Sequence, residues 1–216
     1  MTHSVGVRAA GKLRTRQALL AAALDLMESR TLDSLSLREV TRAVGIVPAG
    51  FYRHFPDVDS LGVALVEESL GSLRAAIRAV RAGLSDSDEI IRRSLTVLLR
   101  TVDAHRAQFR FVVRERFGGV PRVRQAIEAQ LRLFADELAG DLLAGHIATV
   151  SDPRRWARAD LDMLTGFVVD HMMLTAAAVL EVPPGRRAAH RRVLDVAAKR
   201  LRLIVLGSRA WAEYPG

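Results

Sequence analysis

A run of nine residues, 47–55, brings together groups suited to contacting a polyanion: Val47, Pro48, Ala49, Gly50, Phe51, Tyr52, Arg53, His54 and Phe55. Phe51 and Phe55 stand four apart, so on a helix they share one side and leave Pro48, Ala49, Gly50, Tyr52 and Arg53 on the other. A helix that is slim and polar on its outer side fits the major groove of duplex DNA, where small and polar side chains reach the base edges. Pro48 at the first helical position gives up no needed N–H, and Gly45 supplies the positive-φ turn from the helix before it. Ser36 and Glu39 form an S-x-x-E capping box for that earlier helix. The pattern predicts a helix-turn-helix.

Other chemistries find little footing. The six histidines (His3, His54, His105, His146, His171, His190) stand apart, there is no cysteine, and no HExxH, P-loop, GxGxxG or GxSxG string occurs. The expectation is therefore a protein that is not an enzyme and uses no metal or cofactor. The net charge is +8, and residues 1–56 carry eight Lys or Arg against four Asp or Glu, so a quarter of the chain holds half of the excess. This basic quarter favours double-stranded DNA as partner. Arg8, Lys12, Arg14 and Arg16 precede the motif and suit backbone phosphates, or else form a plain solvated tail. Uncharged stretches reach only ten residues, too short to cross a membrane, and the N-terminus lacks the apolar run that follows the basic start of a signal peptide. The expected setting is the cytoplasm, without membrane contact.

Helices must position these groups, because Ala, Leu, Arg and Glu dominate at 3.6-residue spacing and no strand pattern is convincing. The reading is an all-α, nine-helix chain of two domains. A helix-turn-helix domain over 1–56 includes a basic arm at 1–11 and helices near 12–29, 36–44 and 48–54. An effector and dimerisation domain over 57–216 includes helices near 58–82, 86–105, 108–117, 121–144, 153–181 and 186–211.

The string Val44-Gly45-Ile46 followed by Tyr52-Arg53-His54-Phe55 resembles the tetracycline-repressor (TetR-type) family over about residues 12–61. That resemblance implies DNA contacts from Ser36, Arg38, Ala49, Gly50, Tyr52 and His54, with Arg42 and Arg53 beside them. Tyr52 also reads as a cover for the fourth helix, His54 as a helix C-terminal cap, and Arg38 and Arg42 as solvated charge. Val47 replaces the family's Ser cap, Gly50 a common Thr, and Val58 a phosphate-binding Lys. A narrower likeness joins Phe51-Tyr52-Arg53-His54-Phe55 with Asp57-Val58-Asp59-Ser60-Leu61-Gly62 and with the later string from Phe109 to Phe117. Both are similar to a subgroup controlling unsaturated fatty acid synthesis and sensing long-chain acyl-CoA.

The helix near 153–181 is apolar nearly all round after Leu161 and needs cover on two faces. Leu98, Val102, Phe134, Met163, Phe167 and His171 are the candidate lining of an effector tunnel, with ordinary core as the alternative. Leu164, Val168, Met172 and Val179, with Val193, Ala197, Leu201 and Ile204, are the candidate homodimer interface, a pairing the resemblance also implies. A CoA head group could meet Arg110, Arg114 and Arg116, which read equally as a solvated face. The expectation is a repressor on a palindromic operator tuned by a small hydrophobic effector. A regulator of efflux or catabolic genes and an architectural DNA-binding protein are the competing readings.

Overall fold

Ser36 and Glu39 form the predicted box in both directions: the Glu39 N–H donates to Ser36 Oγ at 3.3 Å and the Ser36 N–H donates to Glu39 Oε2 at 3.0 Å. Arg30 adds a third hold on Glu39, donating to Oε1 at 2.8 Å. The Ser36 hydroxyl and N–H, then Arg30, hold the Glu39 carboxyl down at about 2. From this cap the chain enters a short helix closed by Gly45 at φ 72°, the left-handed residue that turns it toward Pro48.

The computed structural model describes residues 2–147 and 156–211. Among them the order is α1 (Thr2–Leu26), a 3₁₀ turn (Leu32–Ser34), α2 (Leu37–Val44), α3 (Pro48–Phe51), α4 (Val58–Ala82), α5 (Ser87–Ala104), α6 (Arg106–Glu115), α7 (Pro121–Leu143), α8 (Arg158–Glu181) and α9 (Arg187–Trp211), with no strand. Several boundaries differ from expectation, among them the end of α1 at Leu26 rather than near residue 29. The first helix begins at Thr2, so residues 2–11 continue α1 instead of forming an arm; no proline interrupts them. The short helix ends at Phe51, and residues 52–54 form a turn. The eighth begins at Arg158, and the start expected at Pro153 lies outside the described residues.

One core runs through both halves. Leu19, Leu20, Ala23 and Met27 of α1 pack with Val40, Phe51 and Phe55, and the same cluster continues through Leu61, Leu65, Leu70 and Ile77 of α4 into α5, α7 and α8. At Gly62 a Cβ would lie 2.4 Å from Leu32 Cδ2 and 2.9 Å from Val123 Cγ2, so the missing side chain lets α4, the 3₁₀ turn and α7 meet. α8 is long and apolar enough to cross a membrane by length and composition. Here it packs against α5, α6, α7 and α9, as the core helix of a bundle.

Polar contacts fasten the same junction. The Glu115 side chain, 0% exposed, accepts from the Leu32 N–H at 3.3 Å and lies 3.5 Å from Arg114 Nε. Arg114 Nη1 donates to the Met27 carbonyl at 2.9 Å. Arg122 at the start of α7 donates to Asp57 at 2.8 Å and to the Ser60 hydroxyl at 3.0 Å, gripping the N-cap of α4.

Loss of the α2 cap should be measurable. Ser36→Ala should cost about 1 kcal/mol, a fall in melting temperature of about 2–4 °C. The folded Glu39 value lies below the ordinary 4.5, so its contribution is whole above that pH and is lost as pH falls toward 2. The gap between Ser36→Ala and the parent should therefore narrow in acid; a gap that stays constant by denaturant titration would contradict the cap assignment.

Candidate nucleic-acid interface and effector cavity

Pro48 starts α3, and Phe51 and Phe55 are buried with ring centroids 5.7 Å apart, so the aromatic pair anchors the segment. Pro48 and Ala49 are exposed and Gly50 is half-buried. Tyr52 is 60% exposed and sets its ring edge-on to Phe51 at 5.9 Å, which holds the phenol outward. Ser36, Arg38, Arg42 and Arg53 are also exposed. Val47 caps α3 without a side-chain bond, in keeping with the replaced serine. A Cβ on Gly50 would meet the Ile46 side chain, most tightly its flexible Cδ1 at 3.3 Å and its Cβ at an ordinary 3.5 Å, so small side chains fit there.

A second set gathers between α1 and the end of the motif. Lys12, Arg16, Arg53 and His54, with Ala9 and Leu13, line one open hollow. The Arg16 guanidinium lies 4.5 Å over the Phe55 ring, which fixes it near the hollow. His54 is half-buried, and its Nδ1 has no hydrogen-bond partner among the described residues. Burial, then the charges of Lys12, Arg16 and Arg53, lowers its pKa from 6.5. The ring is neutral at pH 7, and an approaching anion would favour its protonated form. Arg16 stood in the sequence among the basic residues suited to backbone phosphates, with a solvated tail as the alternative, and the structure sets it beside Lys12, Arg53 and His54.

The larger half encloses an apolar cavity of about 130 Å³ between α4, α5, α7, α8 and α9. Leu70, Leu98, Leu131, Phe134, Val168 and Met172 are among its walls, and Arg81, Ser87, Ser94 and Ser208 are its polar members. Of the six residues expected to line a tunnel, Leu98 and Phe134 do so. Val102 is buried but lies off the cavity. Met163 and Phe167 turn outward, Phe167 to 58% exposure. His171 is buried, with Nε2 3.2 Å from the Ala197 carbonyl; burial outweighs that bond and lowers its pKa.

The faces of α8 and α9 are thus interchanged relative to expectation. Leu164, Val168, Met172, Leu201 and Ile204, expected at an interface, line the cavity. Val179 and Ala197 are buried in the core and Val193 packs on it. Met163, Phe167, Leu174, Val196, Leu203 and Leu206 are exposed instead. A helix apolar on all sides has no polar face to fix its phase, so spacing alone could not orient it. Two of the arginines considered for a CoA head group are also engaged: Arg114 on Met27, and Arg116 in an ion pair with Asp170.

Comparison with known proteins places this geometry. The description "Bacterial regulatory proteins, tetR family" matches residues 19–65, and "Tetracyclin repressor-like, C-terminal domain" matches residues 87–205, more than half of the chain. The chain belongs to the TetR family. It is a TetR-family transcriptional regulator with a helix-turn-helix DNA-binding domain, and its family is one of regulators, not enzymes. TetR regulators bind DNA and small-molecule effectors, typically as dimers.

Solved structures share the fold. A TetR-family regulator from Syntrophomonas wolfei superposes with TM-score 0.71 at 11% identity, over 89% of this chain and 95% of that one. The regulator FadR from Bacillus subtilis, solved with stearoyl-CoA, gives TM-score 0.64 at 11% identity over 88% and 97%. The fatty acid degradation regulator FadR from Bacillus halodurans gives 0.63 at 11% over 88% and 94%.

The hollow makes a pH-dependent prediction. If a phosphate enters beside His54, binding takes up a proton, so affinity for any duplex should rise as pH falls through and below 6.5. His54→Gln should flatten that slope, and Lys12→Ala should lower the salt dependence by about one counterion. Fluorescence anisotropy over a pH series at fixed salt and over a salt series at fixed pH reads the two; an unchanged pH slope in His54→Gln would remove the imidazole from the interface.

Proposed function

We propose that this TetR-family chain is a homodimeric repressor of a palindromic operator, tuned by a long apolar effector for which a long-chain acyl-CoA is the first candidate. The observation that carries this reading is the cavity on α4. Its walls are almost wholly aliphatic and aromatic, and the N-terminal end of the same helix packs against the 3₁₀ turn of the reading head. We assign residues 1–56 to that head and 57–216 to effector binding and pairing. Within the head, Ala49 and Gly50 at the start of α3 are the proposed base-reading positions. Ser36, Arg38, Arg42, Pro48, Tyr52, Arg53, His54 and Lys12 are proposed to hold backbone and groove edge. The stearoyl-CoA bound by the Bacillus subtilis regulator supports the choice of effector class.

Pairing is assigned to the outward faces of α8 and α9. Met163, Phe167 and Leu174 lie on one side of α8, and Val196, Leu203 and Leu206 on α9, with Phe167 and Leu203 58% and 68% exposed. The two helices pack against each other, so both sets of exposed apolar residues stand on neighbouring helices. A twofold copy covers both stripes at once with a four-helix contact and leaves no open end.

Size gives the mechanism of tuning. A drug-sized ligand occupies roughly 300–1,000 Å³, so a long chain cannot enter 130 Å³ without moving α4, α5 or α8. That demand gives the effector different affinities for the closed and opened arrangements, the condition for shifting an equilibrium. The same small volume favours a second reading, in which a compact aromatic effector fits without displacement.

Operator anisotropy with palmitoyl-CoA, oleoyl-CoA or no ligand, below micelle formation, tests the effector. The proposal expects a shift corresponding to about 1–3 kcal/mol of coupling, abolished by Leu98→Trp, which fills the cavity. Identical curves would reject the acyl-CoA assignment. For the dimer, Phe167→Glu with Leu203→Glu should give a monomer of 23.7 kDa by light scattering where the parent gives twice that mass; a parent that is monomeric at micromolar concentration would overturn the pairing.

A further inference from the structure

Along α4 the cavity-facing residues are Leu70, Leu73, Ile77 and Arg81, so an arginine ends an otherwise apolar stripe. From Leu70 to Arg81 the helix advances about 16 Å, which places the guanidinium at the far end of the cavity from the reading head. Arg81 is 6% exposed. Its Nε donates to Asp141 at 2.6 Å, but Nη2 lies 3.6 Å from Glu137 Oε2 and has no hydrogen-bond acceptor among the described residues. Arg74 at 3.4 Å and Arg78 at 3.5 Å both lie on Glu137 Oε1, and Oε2 faces Arg81 Nη2 without a hydrogen bond of its own. Three guanidiniums therefore share two carboxylates.

A buried donor without an acceptor is unfavourable even where, as here, Asp141 offsets the charge through Nε. That cost falls if an anionic oxygen bound at the Arg81 end of the cavity reaches Nη2, which is itself closed to solvent. Ser87, on the first turn of α5, lines the same end and offers a hydroxyl to such a group. The other polar members, Ser94 and Ser208, are neutral, and Ser208 is satisfied within α9 by the Val205 carbonyl at 2.7 Å.

We propose that Arg81 is the polar anchor of the effector site, and that the effector is an amphiphile whose apolar chain runs along α4 and whose anionic oxygen meets Arg81 Nη2. The inference rests on the lipid-like effector proposed above and adds where the polar end lies and what charge it bears. A carboxylate of a free long-chain acid and a phosphate of a CoA ester share this chemistry.

Calorimetric titration of the full chain with oleate, oleoyl-CoA and the neutral oleyl alcohol, each below its aggregation concentration, tests it. At least one anionic ligand should bind about tenfold tighter than the alcohol, the scale of a charge-assisted hydrogen bond. Arg81→Gln should remove that preference while leaving alcohol binding within about twofold. The anion whose affinity falls identifies the source. Glu137→Gln, which withdraws a competing carboxylate, should tighten the same anion several-fold, an effect in the direction opposite to structural damage. All three ligands bound within twofold by the parent, or an anion preference that survives Arg81→Gln, would overturn the anchor and spare the lipid reading. No binding of any chain would overturn both.

Discussion

Glu115 has no exposed side-chain surface, yet it carries the hydrogen bond from the last turn of α6 to the Leu32 N–H. A carboxylate in such a place is tolerable only if its partners stay, because removing one side of a buried ionic contact costs roughly 3–5 kcal/mol. Its neighbour Arg114 supplies the compensating charge and reaches on to the Met27 carbonyl at the end of α1. Gly118 leaves room for the second carboxylate oxygen, which would lie 2.2 Å from a Cβ there. The head is thereby held at the exact segment, 27–32, that joins α1 to the turn before α2. Any displacement of α6 is a displacement of the platform on which α2 and α3 stand.

The cavity and this clasp are two ends of one packed body. α4 lines the cavity from Leu70 to Arg81 and meets the 3₁₀ turn at Gly62, while α6 packs between α4, α8 and α1. A close-packed interior does not deform smoothly, so an effector that widens the cavity must shift whole helices between discrete arrangements. Coupling then needs no contact between effector and DNA. It needs only that the opened body prefer a different placement of the heads.

Much of the head was legible in the sequence because its signals are local. The capping box at Ser36 and Glu39, the positive-φ Gly45, the helix-starting Pro48 and the Phe51–Phe55 pair each act within a few residues. The limits of α4, residues 58–82, were equally clear, bounded by Asp57 and Gly83. The larger half resisted where the signal is tertiary. α8 carries apolar residues all round, so which of its stripes faces the cavity depends on neighbours that spacing does not name. Glu115 sits in a charged string, Arg114-Glu115-Arg116, that reads as solvated surface, and its burial follows only from how α6 lands on α1. Arg81 left a trace, since it continues the 70, 73, 77 stripe, but a lone arginine at a helix end equally suits the helix dipole.

In the proposed mechanism of tuning, the clasp at Glu115 carries effector binding to the reading head. Operator affinity with and without saturating acyl effector, compared between the parent and Glu115→Gln, measures it most directly, since the substituted residue lies outside both the cavity and the proposed DNA contacts. The account predicts that each separate affinity stays within about twofold while the effector-dependent difference shrinks by about threefold or more. A variant that folds, binds both partners and keeps the full difference would contradict it.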